Sequence, residues 1–145
     1  MARAAPQAAF QGCLVQEMAC GGVLEAFVGA RHDPQHGPVV LVGAGGVFVE
    51  ILRDVVTLSA PVTAEAVVAK LQTLASWPLF DGARGRARAD LTALADVVSR
   101  VSMVMEALGP RLRELDVNPV LVRPRGQGAV ALDARGVWNE GETGA

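Results

Sequence analysis

The stretch Glu114-Leu115-Asp116-Val117-Asn118-Pro119 decides the fold, because it combines the alternation of a β-strand with a series of oxygen-bearing side chains. Successive side chains of a strand point to opposite faces of the sheet. Leu115 and Val117 therefore lie on one face, and Glu114, Asp116 and Asn118 lie on the other. Such a strand buries its apolar face and presents polar ligands on the opposite face.

The sequence after this strand predicts a hairpin. The two strands are expected over 112–122 and 128–135, with a turn around Arg125-Gly126. A symmetric turn centred there sets Asn118 directly opposite Asp133, and directly paired residues have Cβ atoms about 5 Å apart. A carboxylate and an amide oxygen at that distance suit Mg²⁺, which takes one or two protein ligands and fills its octahedron with phosphate and water.

Two alternatives to a metal site remain open at this point. The polar side chains could simply be solvated on the outer face of an edge hairpin. A one-residue bulge would also destroy the pairing of Asn118 with Asp133.

Two helices precede the hairpin. Asp90 is a good N-cap for a helix that Gly109-Pro110 ends, and Thr63 is a good N-cap for one that Trp77-Pro78 stops. Apolar residues at helical spacing mark the buried faces: Val67, Leu71 and Leu74 in the earlier helix, and Leu91, Leu94, Val98, Val101, Met105 and Leu108 in the later one. The segment 79–89 between them, rich in glycine and arginine, is predicted as an exposed loop.

Four strands are predicted before the helices. They span 13–18, 23–31, 39–42 and 47–54. The last strand would place Glu50 and Asp54 beside Phe48 and Leu52, and carboxylates in such company are expected to face a cleft. The complete pattern predicts an α+β fold, a largely antiparallel sheet with two main helices packed on it.

Composition excludes several classes of protein. The chain has 145 residues, 51% of them hydrophobic, and a formal net charge of −2, so it lacks the basic footprint of a protein that binds nucleic acid or an anionic membrane. No apolar run approaches the roughly 18 residues of a membrane-spanning helix, and no signal peptide is recognisable, so the cytoplasm is the expected location. The apolar excess predicts a surface that meets another domain or subunit.

Two cysteines, Cys13 and Cys20, have no neighbouring histidine or further cysteine to complete a metal site. Because we expect a reducing compartment, we predict that both are small buried hydrophobic residues rather than a disulfide.

A series of motifs in a fixed order resembles a known family. The series is Leu-Val-Gln-Glu-Met (14–18), Glu25, Asp33-Pro34, Gly37-Pro38, Gly-Ala-Gly-Gly-Val (43–47), 49–55, Ala60-Pro61, Gly-Ala-Arg-Gly (82–85), 114–119 and 132–135. Together these motifs resemble the C-terminal half of the ATP-grasp domain of ADP-forming acyl-CoA synthetases, which include acetate–CoA ligases and are related to the succinyl-CoA synthetase β subunit. The likeness covers residues 12–138, between a flexible lead-in (1–11) and a flexible tail (139–145).

The resemblance implies roles for individual residues. Asn118 and Asp133 match two Mg²⁺ ligands, with Asp116 as a third candidate. Gln16, Glu17 and Met18 match the hinge whose backbone meets the adenine edge of ATP or ADP. The remaining cofactor-binding candidates are Glu25 near the nucleotide sugar, Gly45 and Gly46 in a turn that lets the backbone approach phosphate, and Glu50 in the cleft. For Glu25 an exposed strand carboxylate is an equally good interpretation.

Other polar residues receive no firm role, and no residue is assigned as catalytic. Arg84, in the motif Gly-Ala-Arg-Gly, either binds an anion or is a solvated loop residue. His36 stands where the family has an aromatic residue, and both His32 and His36 are predicted as loop residues without a phosphohistidine role.

The family reaction converts acyl-CoA, ADP and phosphate to acid, CoA and ATP. The resemblance implies two partners for this chain: the ATP-grasp half that carries the lysine and glycine-rich loop, and a CoA-binding ligase subunit. Self-association into a homo-oligomer is a further expectation. Two hypotheses follow: a working part of a ligase that is inactive alone, or a non-catalytic remnant or interaction module that keeps the fold.

Overall fold

The strands form a single antiparallel sheet. The computed structural model describes residues 12–46 and 54–139, and within them the strands are β1 (Leu24–Asp33), β2 (Gly37–Ala44), β3 (Val55–Ser59), β4 (Leu112–Val122), β5 (Ala129–Ala131) and β6 (Ala134–Trp138). Their order is β3-β2-β1-β4-β5, and β6 pairs with β4 beyond the end of β5. The predicted α+β class with a largely antiparallel sheet is confirmed.

The helices contribute one side of the hydrophobic core. They are α1 (Ala64–Leu71), α2 (Trp77–Phe80) and α3 (Leu91–Leu108). The core is formed by alternate residues of the strands packed against α1 and α3. Its fully buried residues include Val28, Val40, Val42, Val67, Leu71, Leu94, Val98, Met105, Val120 and Val122. No helix in the described part of the chain is both long enough and apolar enough to cross a bilayer.

The two predicted helices are found, with one difference in extent. The Thr63 hydroxyl accepts a hydrogen bond from the Ala66 amide at 3.3 Å, which is the predicted cap. However, α1 ends at Leu71, and Trp77-Pro78 begins the short helix α2 instead of stopping α1. Proline is tolerated in the first turn of a helix because the amide it lacks has no intrahelical partner there.

Some of the predictions for the residues that precede β1 are wrong. Residues 13–18 form no strand, and Cys13 and Cys20 are exposed rather than buried. A short apolar run cannot make a strand without a neighbouring strand to exchange hydrogen bonds with, and residues 13–18 pair with no strand of the described chain. The predicted strand 47–54 lies almost wholly outside the described residues, and the observed strand β3 follows it.

Strand β4 contains a bulge on its β1 side. Ala26 pairs with Val120 and Val28 pairs with Val117, so the single residue Phe27 faces two residues of β4, Asn118 and Pro119. An extra residue reverses the alternation of a strand. This is why Val117 and Val120, three positions apart, are both buried against the helices.

The Asp90 carboxylate joins helix α3 to the hairpin. One oxygen accepts a hydrogen bond from the Ala93 amide at 3.2 Å, which caps the helix, and the other accepts one from the Gly128 amide at 2.8 Å. The neighbouring backbone reinforces this junction, because the Asp90 amide donates to the Arg123 carbonyl at 2.9 Å. Asp90 is only 6% exposed, so few water molecules could replace these partners.

Replacing Asp90 by alanine should lower the free energy of unfolding by about 2–3 kcal/mol, because it removes a helix cap and leaves the Gly128 amide without its charged acceptor. Urea denaturation monitored by circular dichroism measures the change. Asp96→Ala is the matched control, since Asp96 lies on the same helix but is exposed and, within residues 12–46 and 54–139, pairs with Arg100 alone; its effect should stay within about 0.5 kcal/mol. Equal losses in the two variants would contradict this role of Asp90.

The same carboxylate should make stability depend on pH. Burial raises the pKa of Asp90, but hydrogen bonds from Gly128, Ala93 and Gly126 and the charge of Arg125 outweigh it and hold the pKa below its usual value. A carboxylate with a lowered folded-state pKa stabilises the fold above its unfolded pKa of about 3.9, and this contribution is lost as pH falls through the folded value. The stability difference between the wild type and Asp90→Asn should therefore shrink between about pH 6 and about pH 3. A difference in stability between the two proteins that stays constant across this pH range would contradict this contribution of the Asp90 carboxylate.

Candidate functional site

The candidate site residues gather on the face of the sheet that carries no helix. On β1, Ala26, Val28 and Ala30 are buried beneath the helices, so the residues between them project to the opposite face. Strand pairing builds rows across this face: Leu121 of β4 stands opposite Glu25 of β1, and Asp116 of β4 stands opposite Gly29. The helix-free face therefore brings together residues that lie about 90 positions apart in the sequence.

The hairpin has the predicted register. Val120 pairs with Ala131, and the Asn118 amide donates a hydrogen bond to the Asp133 carbonyl at 3.1 Å. The same register continues into β6, where Val117 pairs with Ala134. The bulge therefore disturbs only the β1 side of β4, and Asn118 and Asp133 remain direct neighbours.

The oxygen donors at this pair are accessible. Both residues are exposed, and Oδ1 of Asp133 accepts a hydrogen bond from the Ala134 amide at 2.8 Å, which fixes the carboxylate and leaves its second oxygen available. Asp116 is half-buried in the next row, where a Cβ atom added to Gly29 would lie 3.2 Å from its Oδ1.

The donor set has the chemistry that Mg²⁺ requires. The two neighbouring residues carry one carboxylate and one amide oxygen, and in the described part of the chain no three His, Cys, Asp or Glu side chains form a cluster that would hold a metal by themselves. Mg²⁺ commonly takes only one or two protein ligands and relies on phosphate and water for the remainder. The residues therefore fit a cation that arrives together with a phosphorylated ligand.

Part of the predicted hinge lies close to this pair. Gln16 and Glu17 line a cleft of about 330 Å³, and the opposite wall is formed by Arg123 and residues 130–132. Arg123 helps to hold the segment, because its Nε donates to the Cys20 carbonyl at 3.3 Å. Met18, the third hinge candidate, is 82% exposed and does not line the cleft.

The glycine turn after β2 contacts Glu25. The Gly45 amide donates to the Glu25 carbonyl at 2.7 Å, and a Cβ atom on Gly45 would lie 3.1 Å from that carbonyl oxygen. Gly45 is therefore needed for the close approach of two backbone segments. Gly46, with φ of 66°, is exposed and lies beside the Glu25 carboxylate. Glu50 falls outside the described residues.

Asp54 has a different role from the predicted one. Its carboxylate accepts hydrogen bonds from the Ala75 amide at 3.1 Å and the Ser76 amide, so it ties the start of β3 to the connection between α1 and α2. Burial raises the pKa of Asp54, but hydrogen bonding from Ser76 and from the Ala75 amide lowers it below its usual value. Asp54 is a structural carboxylate at the edge of the sheet rather than a group on the helix-free face.

The two histidines differ from each other. His32 belongs to β1, so its prediction as a loop residue is wrong. His36 lies in the turn after β1, as predicted, and its Nδ1 lies 2.9 Å from Oδ1 of Asp33. This contact and the amides of Gln35 and His36 lower the pKa of Asp33 to about 2.

Sequence reasoning missed Phe27 and Gly29. The Phe27 ring covers Gly29, since a Cβ atom there would lie 2.6 Å from the tip of the ring. Together with Arg31, Leu41 and Asp116 they surround a depression of about 270 Å³ on the helix-free face. An isolated glycine within a strand indicates a close approach of this kind, and this was the signal available in the sequence.

An α+β domain in which helices cover one face of this antiparallel sheet has the architecture of an ATP-grasp subdomain. The family model described as "ATP-grasp domain" matches residues 1–137. The chain therefore belongs to the ATP-grasp family.

Individual relatives show which enzymes of the ATP-grasp family the chain is similar to. The chain is 44% identical over 126 residues to a trans-feruloyl-CoA synthase of an unknown prokaryotic organism, a match that covers 87% of this chain and 18% of that protein. It is 38% identical over 130 residues to the β subunit of acetate–CoA ligase (ADP-forming) II of Pyrococcus furiosus, covering 90% of this chain and 55% of that protein. The chain thus spans about half, or less, of the length of these relatives.

A solved structure agrees with these relatives. The dinucleotide-forming acetyl-coenzyme A synthetase 1 of Ca. Korarchaeum cryptofilum, in complex with coenzyme A and Mg-AMPPCP, matches with a TM-score of 0.77 and 34% identity, over 86% of this chain and 56% of that chain. The resemblance to ADP-forming acyl-CoA synthetases is confirmed. The roles of individual residues remain predictions.

We expect Mn²⁺, used as a paramagnetic substitute for Mg²⁺, to broaden the amide signals of Asn118, Asp133 and Ala134 before those of other surface carboxylates, because two neighbouring oxygen donors face solvent there. Titration of the ¹⁵N-labelled chain measures this order. Asp133→Ala should remove the preference, and Asp96→Ala should leave it intact. First broadening around Asp96, with none near Asp133, would contradict the assignment.

Proposed function

We propose that the chain supplies the Mg²⁺–nucleotide-binding half of an ADP-forming acyl-CoA synthetase, which converts acyl-CoA, ADP and phosphate to acid, CoA and ATP. The observation that carries this proposal is the pairing of Asn118 with Asp133 beside the Gln16–Glu17 cleft. It supports a nucleotide that runs from a base at the cleft to phosphates at the pair. Both relatives described above are acyl-CoA synthetases or ligases by name.

Each group of residues has a distinct task under this proposal. Residues 16–18 receive the adenine edge through their backbone, and Glu25, beside Gly46, lies within reach of the sugar. Asn118 and Asp133 hold Mg²⁺, with Asp116 in the next row as an additional acceptor. Mg²⁺, when bound, neutralises phosphate charge, which is the main electrostatic requirement of phosphoryl transfer.

A partner is part of the proposal, and both a relative and an exposed apolar segment support it. The relative from Pyrococcus furiosus is named as one subunit of a ligase, which supports an assembly of several chains. The side chains of Leu14, Val15 and Met18 are 83%, 91% and 82% exposed, and such an apolar segment suits burial against a second protein surface.

The isolated chain should not form ATP from acetyl-CoA, ADP, phosphate and Mg²⁺, because half of the phosphate cradle would be absent. A chimera in which residues 12–138 replace the matching segment of the Pyrococcus furiosus β subunit, assembled with its CoA-binding partner, should form ATP in a coupled luciferase assay. Asp133→Ala in the chimera should lower kcat/KM by at least about a hundredfold, a loss typical of removing a preorganised electrostatic partner.

Asp96→Ala in the same chimera is the control, since this exposed helix residue pairs with Arg100 and has no assigned role at the nucleotide or at Mg²⁺. Urea denaturation should show that Asp133→Ala leaves stability nearly unchanged, because Asp133 is exposed and its carboxylate accepts a hydrogen bond only from the adjacent Ala134 amide among the described residues. Full activity of the Asp133→Ala chimera would refute the metal role. A folded chimera that binds no Mg²⁺–nucleotide would favour the alternative, a non-catalytic interaction module.

A further inference from the structure

A second concave site lies away from the helix-free face, between helix α2 and the loop that follows it. The cavity measures about 480 Å³ and is lined by Ala75, Ser76, Pro78, Leu79, Ala83, Arg84 and Arg86. Most of the lining residues are apolar, and two arginines, Arg84 and Arg86, are among them. The nucleotide-binding proposal uses none of these residues.

Arg84 adopts a backbone conformation that costs energy. Its φ is 59° and its ψ is 34°, in the left-handed region, and it is the one residue other than glycine with positive φ in the described residues. Glycine would occupy this position without the penalty. A strained residue that persists in a sequence points to a function of its side chain, and here that side chain is at the cavity.

Two of the arginines near the cavity have no ion pair among the described residues. The segment 84–88 carries three arginines, of which Arg88 pairs with Asp81 at 3.2 Å. Arg84 and Arg86 form no ion pair with any carboxylate in the described part of the chain, and the nearby Asp54 carboxylate is bound to the Ala75 and Ser76 amides. Two such guanidinium groups beside a mainly apolar pocket suit a ligand with an anionic group and an apolar body.

We propose that this cavity binds an organic anion, whose carboxylate or phosphate group is held by Arg84 and Arg86 and whose apolar part lies against Pro78 and Leu79. The ligand enters from the surface formed by α2 and the loop 82–86. This site is separate from Asn118 and Asp133, and its occupancy does not require nucleotide or Mg²⁺.

The test uses the ¹⁵N-labelled full chain without nucleotide and three probes at matched ionic strength: sodium hexanoate, hexanol and inorganic phosphate. Hexanoate should shift the amide signals of residues 75–86 in a saturable way, because it offers both charge and an apolar body. Hexanol and phosphate should bind at least about tenfold more weakly, since each lacks one of these two features.

Arg84→Gly is the decisive variant. It removes the guanidinium group while permitting the same backbone conformation, so hexanoate affinity should fall at least about tenfold while the melting temperature stays the same or rises by about 2–5 °C. Arg111→Ala, which removes an exposed arginine from the turn after α3, should change neither quantity. Reduced affinity with unreduced stability separates a binding role of Arg84 from a structural one.

Two results would overturn the proposal. Equal binding of hexanol and hexanoate would show an apolar cavity without anion recognition, and an absence of shifts over 75–86 would show no site at all. If phosphate binds as tightly as hexanoate and hexanol does not bind, the anion site stands and its ligand is a phosphate.

Discussion

The junction at Asp90 is the constraint on which the candidate site depends. Its carboxylate binds the start of α3 and the Gly128 amide together, and the Ala89–Pro124 bridge adjoins it. Because the hairpin turn is held by the helix, the register of β4 against β5 and β6 is held as well. That register is what makes Asn118 and Asp133 neighbours.

The bulge in β4 adds a second constraint. It inserts one residue relative to β1, whereas residues 114–122 of β4 keep one register against β5 and β6. Val117 and Val120 can then both remain in the core. The two residues between them, Asn118 and Pro119, can lie outside the core, toward the helix-free face. The bulge thus places Asn118, with its amide oxygen, beside Asp133 without exposing apolar surface. Bulges are generally used in this way to redirect side chains at functional sites.

The hairpin could be predicted from the sequence because its register depends on local turn residues and on alternation. The structural role of Asp54 could not be predicted, since the groups that donate hydrogen bonds to it, the amides of Ala75 and Ser76, lie 21 and 22 residues away in the sequence. The strand predicted over 13–18 failed for a related reason, because a strand needs a partner that the local pattern does not specify. Helix α2 was missed because proline in a first turn has the same sequence pattern as proline that ends a helix.

The central claim is that the Asn118–Asp133 pair holds the cation that accompanies a nucleotide. The most direct measurement is anomalous scattering from Mn²⁺ in crystals of the assembled protein grown with Mn²⁺ and ADP. The account predicts a peak between the Asn118 and Asp133 side chains, on the helix-free face, with ADP phosphates beside it. A fully occupied peak at other residues, with ADP bound and no metal at this pair, would contradict it.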